Sequence, residues 1–254
     1  MSRAAMPTRR LLGRDFADID AVGAAVAVAA RGADAPFAYV TTPNADHLAR
    51  LARMPGLGAA YDGAWLCLLD SRVVALAAGM LGLDVPRVAR GADLAAVLIG
   101  GLSGSDERAC IVGMAPAEVA ALAARQRLAA PHHVNPPMGF WRDAAGLDAA
   151  AQFVEAHPAR LVFLAVGSPG QEVLAAHLAA RGRARGTGLC IGAGLSFLAG
   201  ARRRAPGWMR AAGLEWLHRL AREPGRLARR YLIDDPAVFS LLWRARSGRD
   251  GRGG

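Results

Sequence analysis

Four arginines, at 219, 222, 226 and 229, punctuate the stretch GLEWLHRLAREPGRLARRYL. Steps of three, four and three residues stack their guanidinium groups along one face of a helix, and only two acids, Glu215 and Glu223, are near enough in sequence to neutralise any of them. Guanidinium stays charged and grips phosphate oxygens in a planar fork, so the chemistry such a stripe offers is the holding of a phosphorylated anion. The plainer reading is a solvated helix face.

Polar residues placed just after short apolar runs are the other candidates. Asp70 follows WLCLL; it is either the N-cap of the next helix or a general base whose basicity rises at an apolar strand mouth. Thr42, Pro43 and Asn44 follow FAYVT, with Thr42 read as an N-cap and Pro43 as the first helical residue; Asn44 and the free amides of that helix start face a sugar or phosphate in the functional reading. Ser168, Pro169 and Gln171 fit a capping box after RLVFLAVG, while Gly167 and Gly170 would admit a ligand close to the backbone. The G-x-G at Gly192 to Gly194 lacks the third glycine and the distant acid of a dinucleotide site. Asp18-Ile19-Asp20 looks like a metal-holding D-x-D but lies in a helical pattern ahead of the strands, and is read as a solvated helix face. His132 and His133 are adjacent and the other histidines scattered, so no metal site is expected.

What positions these residues is an alternation of buried strands and amphipathic helices. FAYVT, WLCLL, ACIVG, RLVFLAVG and GLCIGAG are the strands. Helices are expected near 45–54, 72–82, 92–101, 117–128, 149–157 and 171–181, with another over the N-terminal segment to Ala30. The pattern predicts an α/β fold: a Rossmann-like, mostly parallel sheet with helices on both faces, which binds ligands outside the carboxyl ends of its strands. The expected division is a body over 1–200, an Arg-rich helical appendage over 201–246 and a disordered tail over 247–254.

All 31 basic residues are Arg, so the total of +10 says less than its distribution. Residues 201–254 hold 13 Arg against five acidic residues, a local +8 that asks for an anionic partner: nucleic acid, an anionic membrane surface or a phosphorylated substrate. Cys67, Cys110 and Cys190 each sit in an apolar run and read as core, consistent with a reducing cytoplasm. The apolar run AVGAAVAVAA is too short to span a bilayer, so a soluble or peripheral protein is expected.

In order along the chain, TPN, Asp70, RVARGADL, GSPGQE, GAGLSFLAG and RRAPGWMRAAGLEWLHRLAREPGRLARRY resemble the WecG/TagA/CpsF glycosyltransferases, the last block most specifically. The resemblance implies an inverting, metal-independent transferase with no cofactor. It would move a hexose, N-acetylhexosamine or uronate from a UDP-sugar to a polyprenyl-diphosphate-linked saccharide in bacterial surface polysaccharide biosynthesis. The site carried over with it has Asp70 as catalytic base and Thr42, Asn44, Arg87, Gly91, Asp93, Gly167, Gln171 and Glu172 as substrate-binding residues, with Arg219, Arg226 and Arg229 neutralising the diphosphate. The appendage would associate with the anionic inner face of the plasma membrane, and a homo-oligomer is compatible. Ser71, Leu195-Ser196 and the GMAPAEV block depart from the family pattern. Two rivals compete: a non-catalytic nucleotide-binding protein at the membrane, and a nucleic-acid binder, for which no recognition motif or stacking platform is found.

Overall fold

The computed structural model describes residues 6–201, 205–207, 209, 215–222, 225 and 237–250. It opens on an antiparallel hairpin, β1 (Thr8–Leu11) and β2 (Arg14–Ala17), followed by α1 (Ala21–Ala29). The helix expected over the whole N-terminal segment is therefore confined to its second half. Leu12 and Gly13 both take positive φ, 52° and 78°, which is the two-residue turn that suits hairpin twist. Leu stands where Asn usually signals that turn.

Asp18 and Asp20 are not a helix face. Asp18 lies ahead of α1 and accepts hydrogen bonds from Arg9 Nε at 2.7 Å and the Arg87 amide at 2.9 Å. The Arg9 bond is the main cause that holds its carboxyl below the ordinary value. Asp20 is the N-cap of α1, accepting from the Gly23 amide.

Six parallel strands follow: β3 (Ala38–Thr41), β4 (Leu66–Cys67), β5 (Cys110–Val112), β6 (His132–Val134), β7 (Leu161–Leu164) and β8 (Thr187–Cys190). They lie in the order β4-β3-β8-β7-β5-β6. Between them come α2 (Ala45–Arg53), α3 (Gly58–Asp62), α4 (Arg72–Met80), α5 (Gly91–Leu102), α6 (Pro116–Gln126), α7 (Ala144–Ala156) and α8 (Gly170–Arg181), and after β8 comes α9 (Gly194–Leu198). The parallel sheet of an α/β protein is as the alternation predicted. The expected strands all form; β6 was not foreseen because PHHVNPP carries no apolar run.

Side chains alternate across the pleat, so both faces of the sheet are dry and each strand reads as a continuous apolar run. Val40, Ile111, Phe163 and Leu189 point to one face, under α1, α5, α6 and α9. Tyr39, Val112, Val162 and Leu164 point to the other, under α7 and α8. Cys110 and Cys190 are fully buried there and Cys67 is buried in a third cluster, all three as free thiols.

That third cluster joins the hairpin, α2, α3 and α4 to a terminal helix, Ala237–Asp250. Val238 and Leu242 of the terminal helix are fully buried against α2 and α4, so this part of the appendage docks on its own body. The helix runs on to Asp250, through residues 247–250 that were expected in a disordered tail.

Candidate functional site

The carboxyl ends of β3, β4, β7 and β8 lie side by side at one edge of the sheet, and the loops that leave them carry most of the expected site residues. β3 ends in Thr41 and leads to α2 through Thr42, Pro43 and Asn44. The N-cap is Asn44, whose side chain accepts from the His47 amide at 3.3 Å, and not Thr42. Helical geometry starts two residues later than Pro43 suggested. Thr42 instead bridges two strands, because its buried hydroxyl donates to the Cys190 carbonyl at 2.9 Å and ties the end of β3 to the end of β8.

Asp70 follows β4 and is half-buried. It does not cap the next helix, because Ser71 does that by accepting from the Val74 amide. Instead Asp70 Oδ2 accepts from the Gly91 amide at 3.1 Å, at the first turn of α5. A carboxylate at a helix N-terminus is held by the unpaired amides and the positive end of the dipole. Gly91 lets the three segments meet closely: a Cβ there would lie 2.7 Å from Thr42 Oγ1 and 3.5 Å from Asp70 Oδ2. Thr42, Asp70 and the start of α5 are thus one packed group. Ser71, a departure from the family pattern, is accounted for by the cap it provides.

β7 leads through Gly167 and a cis Ser168–Pro169 peptide into α8. The anticipated capping box is absent; α8 begins at Gly170 with Pro169 as N-cap and no side-chain cap bond. Gly167 has φ +81° and open space where a Cβ would stand, so the backbone there admits a close neighbour. Gln171 is 1% exposed and both ends of its amide are engaged: Oε1 accepts from the Gly192 amide at 2.9 Å, and Nε2 donates to Glu172 Oε1 at 2.7 Å. Glu172 is fully buried. The carboxylate sits 3.8 Å from His47 Nδ1, and its charge, after burial itself, helps push the Tyr61 phenol and the Cys190 thiol above their ordinary values. Sequence reasoning missed His47, whose local signal is the polar first turn of α2, and Tyr61, which lies in α3.

Two other expected residues have partners of their own. Arg87 is exposed, and its amide is given to Asp18 beside the hairpin. Asp93 pairs with Arg90 within the first turn of α5, at 2.7 Å. Arg50 of α2 donates to the Ser168 carbonyl at 2.8 Å and pairs with Asp46, clasping the β7 exit loop to α2. A separate cleft of about 270 Å³ lies beneath the hairpin, lined by Arg10, Arg14, Tyr61, Asp62 and Cys67. Its arginines are paired with Asp15 and Asp62, which leaves that cleft charge-balanced.

The arginine stripe lies largely outside the described residues. Glu215–Arg222 is helical, so Arg219 lies on a helix; its side chain, and Arg226 and Arg229 altogether, are outside the described residues. Among the described residues no group of three His, Cys, Asp or Glu side chains converges as a metal-ligand set. Nor is any described helix long and apolar enough to cross a membrane.

A search of curated proteins finds no match. A family model, described as the glycosyl transferase WecG/TagA/CpsF family, matches residues 9–252.

Proposed function

The chain belongs to the WecG/TagA/CpsF glycosyl transferase family, and on that premise we propose that it moves a sugar from a UDP-sugar to a polyprenyl-diphosphate-linked saccharide, with inversion, in bacterial surface polysaccharide biosynthesis. The observation that carries the reading is the gathering of Asp70, Thr42, Gly91, Gly167 and the Gly192 loop at adjacent strand ends, where α/β sheets bind nucleotides.

In the reaction the acceptor hydroxyl loses its proton to Asp70 as its oxygen attacks the anomeric carbon from the face opposite UDP. The bond from that carbon to the UDP oxygen breaks, and the departing diphosphate gains charge. Arg219, Arg226 and Arg229 supply fixed positive charge to that oxygen set, in place of a bound cation. The Asp70–Gly91 bond supports this role, because it fixes the carboxylate before substrate arrives.

On the same reading the enzyme works peripherally at the inner face of the plasma membrane. α4 and the terminal helix, packed together, expose Leu76, Met80, Phe239 and Trp243, with Arg244 and Arg246 beside the aromatic pair. Exposed aromatic and aliphatic side chains flanked by arginine are what an anionic bilayer surface binds.

The test is a panel of UDP-sugars with a short-chain prenyl-diphosphate saccharide, read by product mass. Transfer from one donor is expected. UDP binding without transfer or hydrolysis across the panel would favour the non-catalytic reading.

A further inference from the structure

We infer that Glu172 is a positioning residue for the proposed transfer: from full burial, it sets the orientation of the Gln171 amide and through it the Gly192 loop and the Asp70 end of α5. The inference rests on the transferase reading only for its effect on turnover. It also replaces a substrate contact at Glu172, which a side chain with 0% exposure does not make.

The two ends of a Gln amide are nearly the same shape, so which end faces a given neighbour is decided by hydrogen bonding. The Gly192 amide is a donor and requires the oxygen. That leaves Nε2 pointing the other way, into the protein, where a donor with no acceptor is costly. Glu172 Oε1 is that acceptor, at 2.7 Å. An acceptor oxygen at that place satisfies Nε2 and so favours the orientation that turns Oε1 to the Gly192 amide.

Burying a carboxylate costs several kcal/mol unless its oxygens are well satisfied. Here Oε1 has Gln171 and lies 3.8 Å from His47, while Oε2 is buried with no hydrogen-bond partner among the described residues. An incompletely satisfied buried acid adds little to stability by itself, which directs attention to what it holds. Gly192 has φ +53° and begins the turn into Gly194, the first residue of α9, which packs on α5; a Cβ added at Gly194 would stand 3.4 Å from Ala92 Cα. Ala92 follows Gly91, the donor to Asp70. A continuous line of contacts therefore runs from Glu172 through Gln171, the Gly192 turn and the first turn of α5 to the proposed base.

Three variants of the full chain test this: Glu172→Gln, Glu172→Met and, should the Met variant not fold, Glu172→Leu. The Gln side chain can still present an oxygen to Gln171; Met and Leu cannot, and the amide is then free to flip or swing. Amide exchange at Gly192, read by NMR against Leu189 within β8, needs no substrate. The apolar variant is expected to speed Gly192 exchange about tenfold with Leu189 unchanged, as loss of one hydrogen bond of typical net strength would do. Glu172→Gln should stay within about threefold of the parent on the same scale. With an identified donor, kcat should fall in the apolar variant while KM for the donor holds, and Glu172→Gln should restore most of kcat. Unchanged Gly192 exchange in the apolar variant overturns the inference, and so does a Gln variant that behaves like the apolar one. A response in exchange without turnover in the parent protein would sink the transferase reading and leave the positioning role standing.

Discussion

Replacing Gly91 by Ala puts a methyl group 2.7 Å from Thr42 Oγ1, closer than real side chains approach, and 3.5 Å from Asp70 Oδ2. Gly91 has no positive φ, so the backbone itself accepts Ala. The cost comes from the hydroxyl, which is buried and cannot move aside without leaving the Cys190 carbonyl it bonds at 2.9 Å. Overpacking of this size costs about 1–3 kcal/mol, and the lost hydrogen bond about 1 more. Against this, Gly→Ala in a compatible conformation gains about 0.4–1 kcal/mol. The net is a loss of roughly 1–3.6 kcal/mol, or a Tm lower by about 2–14 °C at about 2–4 °C per kcal/mol for a chain of this size. The cause can be isolated by a double-mutant cycle in urea with Thr42→Ala, which deletes the hydroxyl that clashes. The Gly91→Ala and Thr42→Ala penalties should then be less than additive by at least about 1 kcal/mol. Additive penalties would refute the packing of Thr42 on the start of α5, and with it the geometry assigned to Asp70.

Two further outcomes follow. On α7 and α8, hydrogen bonds from Arg181 chiefly hold the Glu155 carboxyl below its ordinary 4.5, and one from His177 chiefly holds Asp148 below 3.8. A depressed folded value means stability that is present above the unfolded value and lost as pH falls through the folded one. The Asp148→Asn/Glu155→Gln variant should therefore melt lower than the parent at neutral pH and lose less Tm between about pH 5 and pH 3. For the membrane face, the full chain should sediment with vesicles containing phosphatidylglycerol but not with neutral ones. Arg244→Ala/Arg246→Ala should weaken that binding about 30-fold, from about 1 kcal/mol per basic residue; binding unchanged by the pair would move the contact elsewhere.

Much of the architecture was legible because both faces of a parallel sheet are dry, so its strands announce themselves as apolar runs between turn residues. What escaped either broke a local rule or was set by partners distant in sequence. The hairpin turn uses Leu12 in a left-handed conformation, a residue that gives no turn signal. β6 carries two histidines and is recruited by β5 alone, at the sheet edge. Asp70 reads locally as the cap of the helix that follows it, yet its partner is an amide 21 residues on. Arg87 sits in a motif that points to the site, but Asp18, 69 residues earlier, claims its backbone. Gln171 and Glu172 were visible as a pair; that they serve the Gly192 turn could emerge only once β7 and β8 were side by side.

The central claim is that Asp70 takes the acceptor proton. Turnover of Asp70→Asn on the donor found by the panel tests it most directly, with UDP affinity measured alongside. The expected result is a fall in kcat of about 10²–10⁴ with UDP binding preserved, the range that general base catalysis contributes. Turnover within about threefold of the parent would contradict it and leave Asp70 as the N-terminal anchor of α5 alone.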